Sequence, residues 1–178
     1  MLLARTALLL ALPACTLFTG ELEPCAVDDS TDVMLVFADQ AGDVHDVVDG
    51  GNVPLVSAPQ GGHILLVAPS LRMAGSCRIQ INAALRDPVN GRVVGLEERP
   101  IELASQHGWA RPADGSGLSD LANLAVCPTA ASTTSIDGNP YRLEIKVLDE
   151  NHQAISESAA MIVPSCDDAY CRSDCGLP

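Results

Sequence analysis

Cys77–Arg86 alternates without a break: Cys77, Ile79, Ile81, Ala83 and Leu85 fall on one face, and Arg78, Gln80, Asn82, Ala84 and Arg86 on the other. A period of two belongs to a strand with one dry and one wet face, and no helix satisfies it. The stretch runs into Asp87-Pro88-Val89-Asn90-Gly91, where proline presets φ and Asn-Gly supplies positive φ. The chain is therefore predicted to reverse into Arg92-Val93-Val94-Gly95-Leu96 as a hairpin. A hairpin alone is barely stable in water, so the remaining chain has to supply strands that cover its apolar face.

Several segments can do so. Val33–Ala38 is an apolar, β-branched run of strand length behind an acidic lead of Asp28, Asp29 and Asp32. In the next segment Asp39, Asp43, Asp46 and Asp49 punctuate short apolar pieces, which reads as edge strands joined by loops. Val53-Pro54-Leu55-Val56 then leads through Pro59-Gln60-Gly61-Gly62-His63 into Ile64-Leu65-Leu66-Val67-Ala68, predicted as a strand buried on both faces. Pro100 is expected to interrupt the run after Leu96, at an edge or where a strand changes sheets. Residues 118–127 are ambiguous between helix and strand, and the alternation of Leu124 and Val126 favours a strand ending at Cys127. Tyr141, Leu143, Ile145 and Val147 alternate with polar partners, Asp149-Glu150-Asn151-His152 makes a turn, and residues 154–163 return.

Helical periodicity is scarce, and short strands between Gly, Pro, Asn and Asp loops predict an all-β chain, an antiparallel sandwich of about seven to nine strands. The final hairpin resembles the last two strands of immunoglobulin-like domains, which implies an immunoglobulin-like β-sandwich with Greek-key connections. Only five of the residues are aromatic, so the core should be aliphatic and disulfides should help to hold it.

The beginning of the chain concerns address rather than fold. Arg5 precedes the apolar run Ala7-Leu8-Leu9-Leu10-Ala11-Leu12, which fits a secretory signal peptide and is too short to span a bilayer. Leu12-Pro13-Ala14-Cys15 follows. This quartet resembles the lipobox of bacterial lipoproteins, and the resemblance implies cleavage before Cys15 and lipidation of Cys15. In Gram-negative lipoproteins an aspartate after the lipidated cysteine is the usual inner-membrane signal; Thr16 stands there, so the resemblance implies the outer membrane, on its periplasmic or surface face. The VPLV and PQGGH stretch is similar to a segment of PQGG-containing envelope lipoproteins of Gram-negative bacteria, a group without an established activity. The expected organisation is a signal peptide over 1–14, a lipidated cysteine and tether over 15–30, a β-sandwich over 31–165 and a cysteine-rich tail over 166–178, with the chain from Pro164 onward read as loop held by its cysteines. Nine extended residues from Thr16 to Pro24 reach at most about 30 Å.

Cleavage before Cys15 removes Arg5 alone among the charged residues, leaving 9 basic and 23 acidic side chains, a formal charge of -14. Such a surface repels nucleic-acid phosphate, so no nucleic acid is expected among its partners. Those expected are the membrane, through the lipid on Cys15, and an envelope protein or a glycan.

With Cys15 lipidated, Cys25, Cys77, Cys127, Cys166, Cys171 and Cys175 remain. An even number in an exported chain reads as up to three disulfides, with fifteen pairings open. Three of the six lie in the last thirteen residues, so full oxidation requires at least one tail cysteine to reach back to Cys25, Cys77 or Cys127.

Signatures of catalysis are missing: there is no HExxH, no GxSxG elbow and no phosphate-binding glycine loop. Glu97 and Glu98 are adjacent and point to opposite strand faces, so they cannot act as acid and base across one bond. His45, His63, His107 and His152 stand far apart and read as loop residues. The four aspartates from Asp39 to Asp49 lack the spacing of a calcium loop. The best binding candidate is a long polar loop over residues 106–117 carrying His107, Trp109 and Arg111, where an aromatic beside cations can stack on a sugar or anchor a partner. The expectation is a noncatalytic envelope lipoprotein with a binding or structural role, without metal or cofactor. The alternative uses Cys166-x4-Cys171-x3-Cys175, with Asp167 and Asp168, for a soft metal or thiol redox chemistry.

Overall fold

The computed structural model describes residues 22–28, 30–128, 135–149 and 151–176; the leader, Cys15 and Thr16 lie outside the described residues. The elements in chain order are β1 (Val33–Ala38), β2 (Val44–Asp46), β3 (Gly51–Pro54), β4 (Val56–Ser57), β5 (His63–Leu71), β6 (Cys77–Arg86), β7 (Val93–Gln106), β8 (Trp109–Arg111), β9 (Ala122–Cys127), β10 (Tyr141–Leu148), β11 (Ala154–Ser165) and the helix α1 (Ala169–Cys175). The chain is thus mostly β, with one short helix among the described residues.

Hydrogen bonding links the strands in the order β2-β1-β5-β8-β7-β6-β10-β11-β3, with β4 and β9 also paired to β5. The alternating stretch sits where its pattern demands. β6 runs between β7 and β10, and Ile81, Ala83 and Leu85 face inward beside Val147, Ile145 and Leu143 of β10. β5 occupies the corresponding place in the other half of the ladder and is buried over its whole length, as expected of a continuous apolar run. The two halves meet at β7, which pairs with β6 from Val93 to Leu103 and then with β8 from Ala104 to Gln106. Gly95 permits close approach there, because a Cβ at that position would lie 3.1 Å from Val126 Cγ1 of β9. The core is aliphatic, as the composition requires, with Tyr141 its largest fully buried side chain.

Five expectations need correction. The sheet is mixed rather than purely antiparallel: β3 runs parallel to β11, from Gly51 beside Ile162 to Pro54 beside Ser165. No hairpin joins these two strands, so local turn geometry does not dictate their direction. Short edge pieces raise the strand count to eleven among the described residues. Pro100 does not interrupt β7; it pairs with Gln80 on a stretch whose other edge carries no strand among the described residues, where a missing N–H is harmless, and the change of partner comes after Leu103. The tail beyond Pro164 is not all loop, since β11 continues to Ser165 and Asp168 caps α1 by accepting from Cys171 N at 2.8 Å. The tether, finally, docks before residue 30: Cys25 N donates to Arg78 O at 2.8 Å and Arg78 N to Glu23 O at 2.9 Å.

Candidate functional site

Residues 106–117 are no long loop. Gln106 pairs with Trp109 across a two-residue turn in which His107 and Gly108 both have positive φ, 52° and 84°. Two successive left-handed residues make the tight turn that matches the twist of paired strands, and glycine occupies the second without steric cost. His107 is exposed at this tip. Trp109 and Arg111 share one face of β8, being two residues apart, while Ala110 between them is buried. The Trp109 ring is half-buried beneath the Arg72 guanidinium, 5.6 Å from the ring centroid. Arg111 reaches away to Asp46 on β2, with Nη1 3.2 Å from Oδ1, and its Nη2 donates to Val44 O at 3.5 Å. Trp109 and Arg72 therefore form an aromatic–cation plate at the sheet end, whereas Arg111 is committed to holding β2 and His107 is exposed at the turn.

The acidic residues from Asp39 to Asp49 do not converge. Asp39 accepts from Ala41 N and Asp43 N and faces His45 Nε2 at 3.1 Å; hydrogen bonding from His45 first, then from the two backbone amides, holds its carboxyl below the ordinary value despite slight desolvation. Asp46 pairs with Arg111, and Asp49 accepts from Met161 N at 2.8 Å. Glu97 and Glu98 diverge as predicted: Glu97 binds Arg99 and the Asn123 backbone, while Glu98 meets His152 Nδ1 at 2.7 Å. A hollow of about 700 Å³ lies between the docked tether and β6, lined by Leu22, Pro24, Arg78, Pro100 and Leu148 among others.

All six candidate cysteines are paired. Cys25 joins Cys77, Cys127 joins Cys175, and Cys166 joins Cys171. The tail reaches back through Cys175, as counting required, and further bonds clasp it: Cys166 N donates to Asp137 Oδ1 at 2.8 Å, Arg172 Nη1 to Cys166 O at 3.0 Å, and Ile136 N to Cys175 O at 2.9 Å. The two tail disulfides touch, with Cys171 Sγ 3.8 Å from Cys175 Sγ.

His63 belongs to this cluster and was misplaced by sequence reasoning, which put it in a loop. It opens β5 opposite Cys127 and is 1 % exposed, with no hydrogen-bond partner among the described residues for either ring nitrogen. Tyr170 and Asp174 of α1 cover it, the Tyr170 ring at 5.6 Å and Asp174 Oδ2 at 3.7 Å from Nδ1. One ligand atom from each of His63, Cys127 and Cys175 lies within 4.8 Å of the others. The apolar run after it was the available signal, since a histidine beginning a fully buried strand is itself buried. No protein-family model matches the chain, and no curated protein or solved structure matches it either.

Proposed function

We propose that this chain is a noncatalytic lipoprotein of the cell envelope, anchored in the outer membrane through Cys15, with a binding or structural role. The observation that carries the reading is the cysteine pairing: three disulfides use every cysteine of the chain except the one that stands in the lipobox-like quartet. Disulfides of this density suit an exported protein. The reading includes an immunoglobulin-like β-sandwich, for which the passage of β7 from one partner strand to another is the main support. Trp109 beneath Arg72 is the surface on which an envelope protein or a glycan would dock.

Intact mass of the protein from native membranes, alkylated with and without reduction, tests the anchor. Two or three acyl chains and six alkylations only after reduction are expected; an unlipidated chain overturns the anchored reading. For the docking face, Trp109→Ala is expected to keep the circular dichroism of the folded protein and to weaken capture of envelope components. Unfolding by that substitution would remove the face as a binding site.

A further inference from the structure

We infer that the Cys127–Cys175 pair, once reduced, forms with His63 a buried site for a thiophilic cation such as Zn²⁺. This goes beyond the envelope reading and does not depend on a lipid anchor. His63 is a buried polar group without a hydrogen-bond partner among the described residues, its nearest charge being Asp174 at 3.7 Å. The side chain is 1 % exposed and neither ring nitrogen is hydrogen-bonded among the described residues, although native structures rarely bury an imidazole without a hydrogen bond. Beside it lies a disulfide, whose sulfurs offer little while they are bonded to each other. Broken, the same bond presents two thiolates.

The geometry fits. One donor atom from each of His63, Cys127 and Cys175 already lies within 4.8 Å of the others. A tetrahedral zinc site, with Zn–S about 2.3 Å and Zn–N about 2.0 Å, sets its donors about 3.3 to 3.8 Å apart. A small contraction of the histidine and a parting of the sulfurs would close it. A fourth donor is at hand in Asp174, whose Oδ2 is 3.7 Å from His63 Nδ1. Sulfur and imidazole nitrogen select zinc or cuprous ions over calcium and magnesium. The frame is independent of the disulfide, because backbone pairing of β5 with β9 holds His63 opposite Cys127 and the Ile136 amide holds the Cys175 carbonyl. Cys25–Cys77 belongs to no such group among the described residues.

The chemistry balances with a dithiol as reductant. Its two electrons break the Cys127–Cys175 bond, its two protons go to the two sulfurs, and it leaves as a disulfide. Cation binding then displaces both protons as the thiolates ligate.

The test uses the full chain, oxidised and dithiol-reduced, titrated with Co²⁺ without oxygen and then with Zn²⁺. Reduced protein is expected to bind cobalt with a thiolate-to-metal charge-transfer band that zinc abolishes, and oxidised protein is expected to show none. His63→Leu, which puts an apolar side chain at the start of the buried strand β5, should weaken cobalt binding by more than about a hundredfold, beyond what loss of an outer-shell group costs. Cys25→Ala with Cys77→Ala should leave the affinity unchanged. Absence of the band in reduced protein, or equal affinity in His63→Leu, overturns the proposal. If His63→Leu does not fold, the cadmium-113 spectrum of the wild-type complex decides: coupling to the His63 ring supports the site, and an all-sulfur set overturns it.

Discussion

At Gly62 a single methyl group is too much. Its φ is +77°, and a Cβ would sit 2.6 Å from the carbonyl oxygen of Cys127, so both the backbone conformation and the closeness of β9 require glycine. Gly61 has φ +93° with nothing within 4 Å of a Cβ. The pair separates two costs: Gly61→Ala bears only backbone strain, about 1 kcal/mol or somewhat more, whereas Gly62→Ala adds a clash and should lose at least about 2 kcal/mol. Urea unfolding of the two variants checks this; equal losses would mean that the approach of Cys127 is not tight. Glu144 shows a different balance at the same scale. Partial burial pushes its carboxyl up, but hydrogen bonds from Arg86 and Arg142, and then their charges, outweigh it and leave the group below its ordinary value. An ion pair between neighbouring strands thus stays charged in a half-dry position.

Among the elements, α1 begins at one exposed capping side chain, Asp168. The Cys171 amide, with help from that of Tyr170, holds the Asp168 carboxyl below its usual value against slight desolvation. A depressed folded value means that the cap's contribution is complete above the unfolded value near pH 4 and is lost as pH falls through the lower folded one. Amide-exchange protection at Cys171 should therefore be constant from neutral pH to about 4 and decline below it, and Asp168→Ala should lose it at every pH. The helix was not legible beforehand because seven residues carry too few turns for a periodic signal, although an aspartate three before Cys171 was a usable start mark. β1, β6, β9 and β10 were legible, since alternation or an unbroken apolar run of strand length is a local property that folding then respects. β3 was not: its partner stands more than a hundred residues away, and no local chemistry encodes a parallel pairing with β11. Likewise Trp109 was recognised as notable, but its setting in a tight hairpin required seeing that His107-Gly108 can make the turn alone.

For the molecule as a whole, the disulfides differ in what they constrain. Chain-entropy arguments give about 4 kcal/mol for closing the loops of 52 and 48 residues by Cys25–Cys77 and Cys127–Cys175, and about 2 kcal/mol for the 5-residue loop of Cys166–Cys171. Replacing each pair by alanines and measuring urea midpoints should give that order; a larger loss at Cys166–Cys171 would show that native packing around the tail, and not the unfolded chain, governs. Connectivity lay beyond the sequence for the same reason as β3, because fifteen pairings share one composition and only the fold brings sulfurs together. The docked tether has one further consequence, a mechanical one. Tension applied at the amino end passes from Cys25 through a covalent bond directly into β6, which is flanked by the long ladders of β7 and β10. Residues 26–76 form a slack bypass, so β1 and β5 are spared the load. A pull from that side must shear the ladders of β6 with β7 and β10 at once, and not draw β1, the first strand, from between β2 and β5.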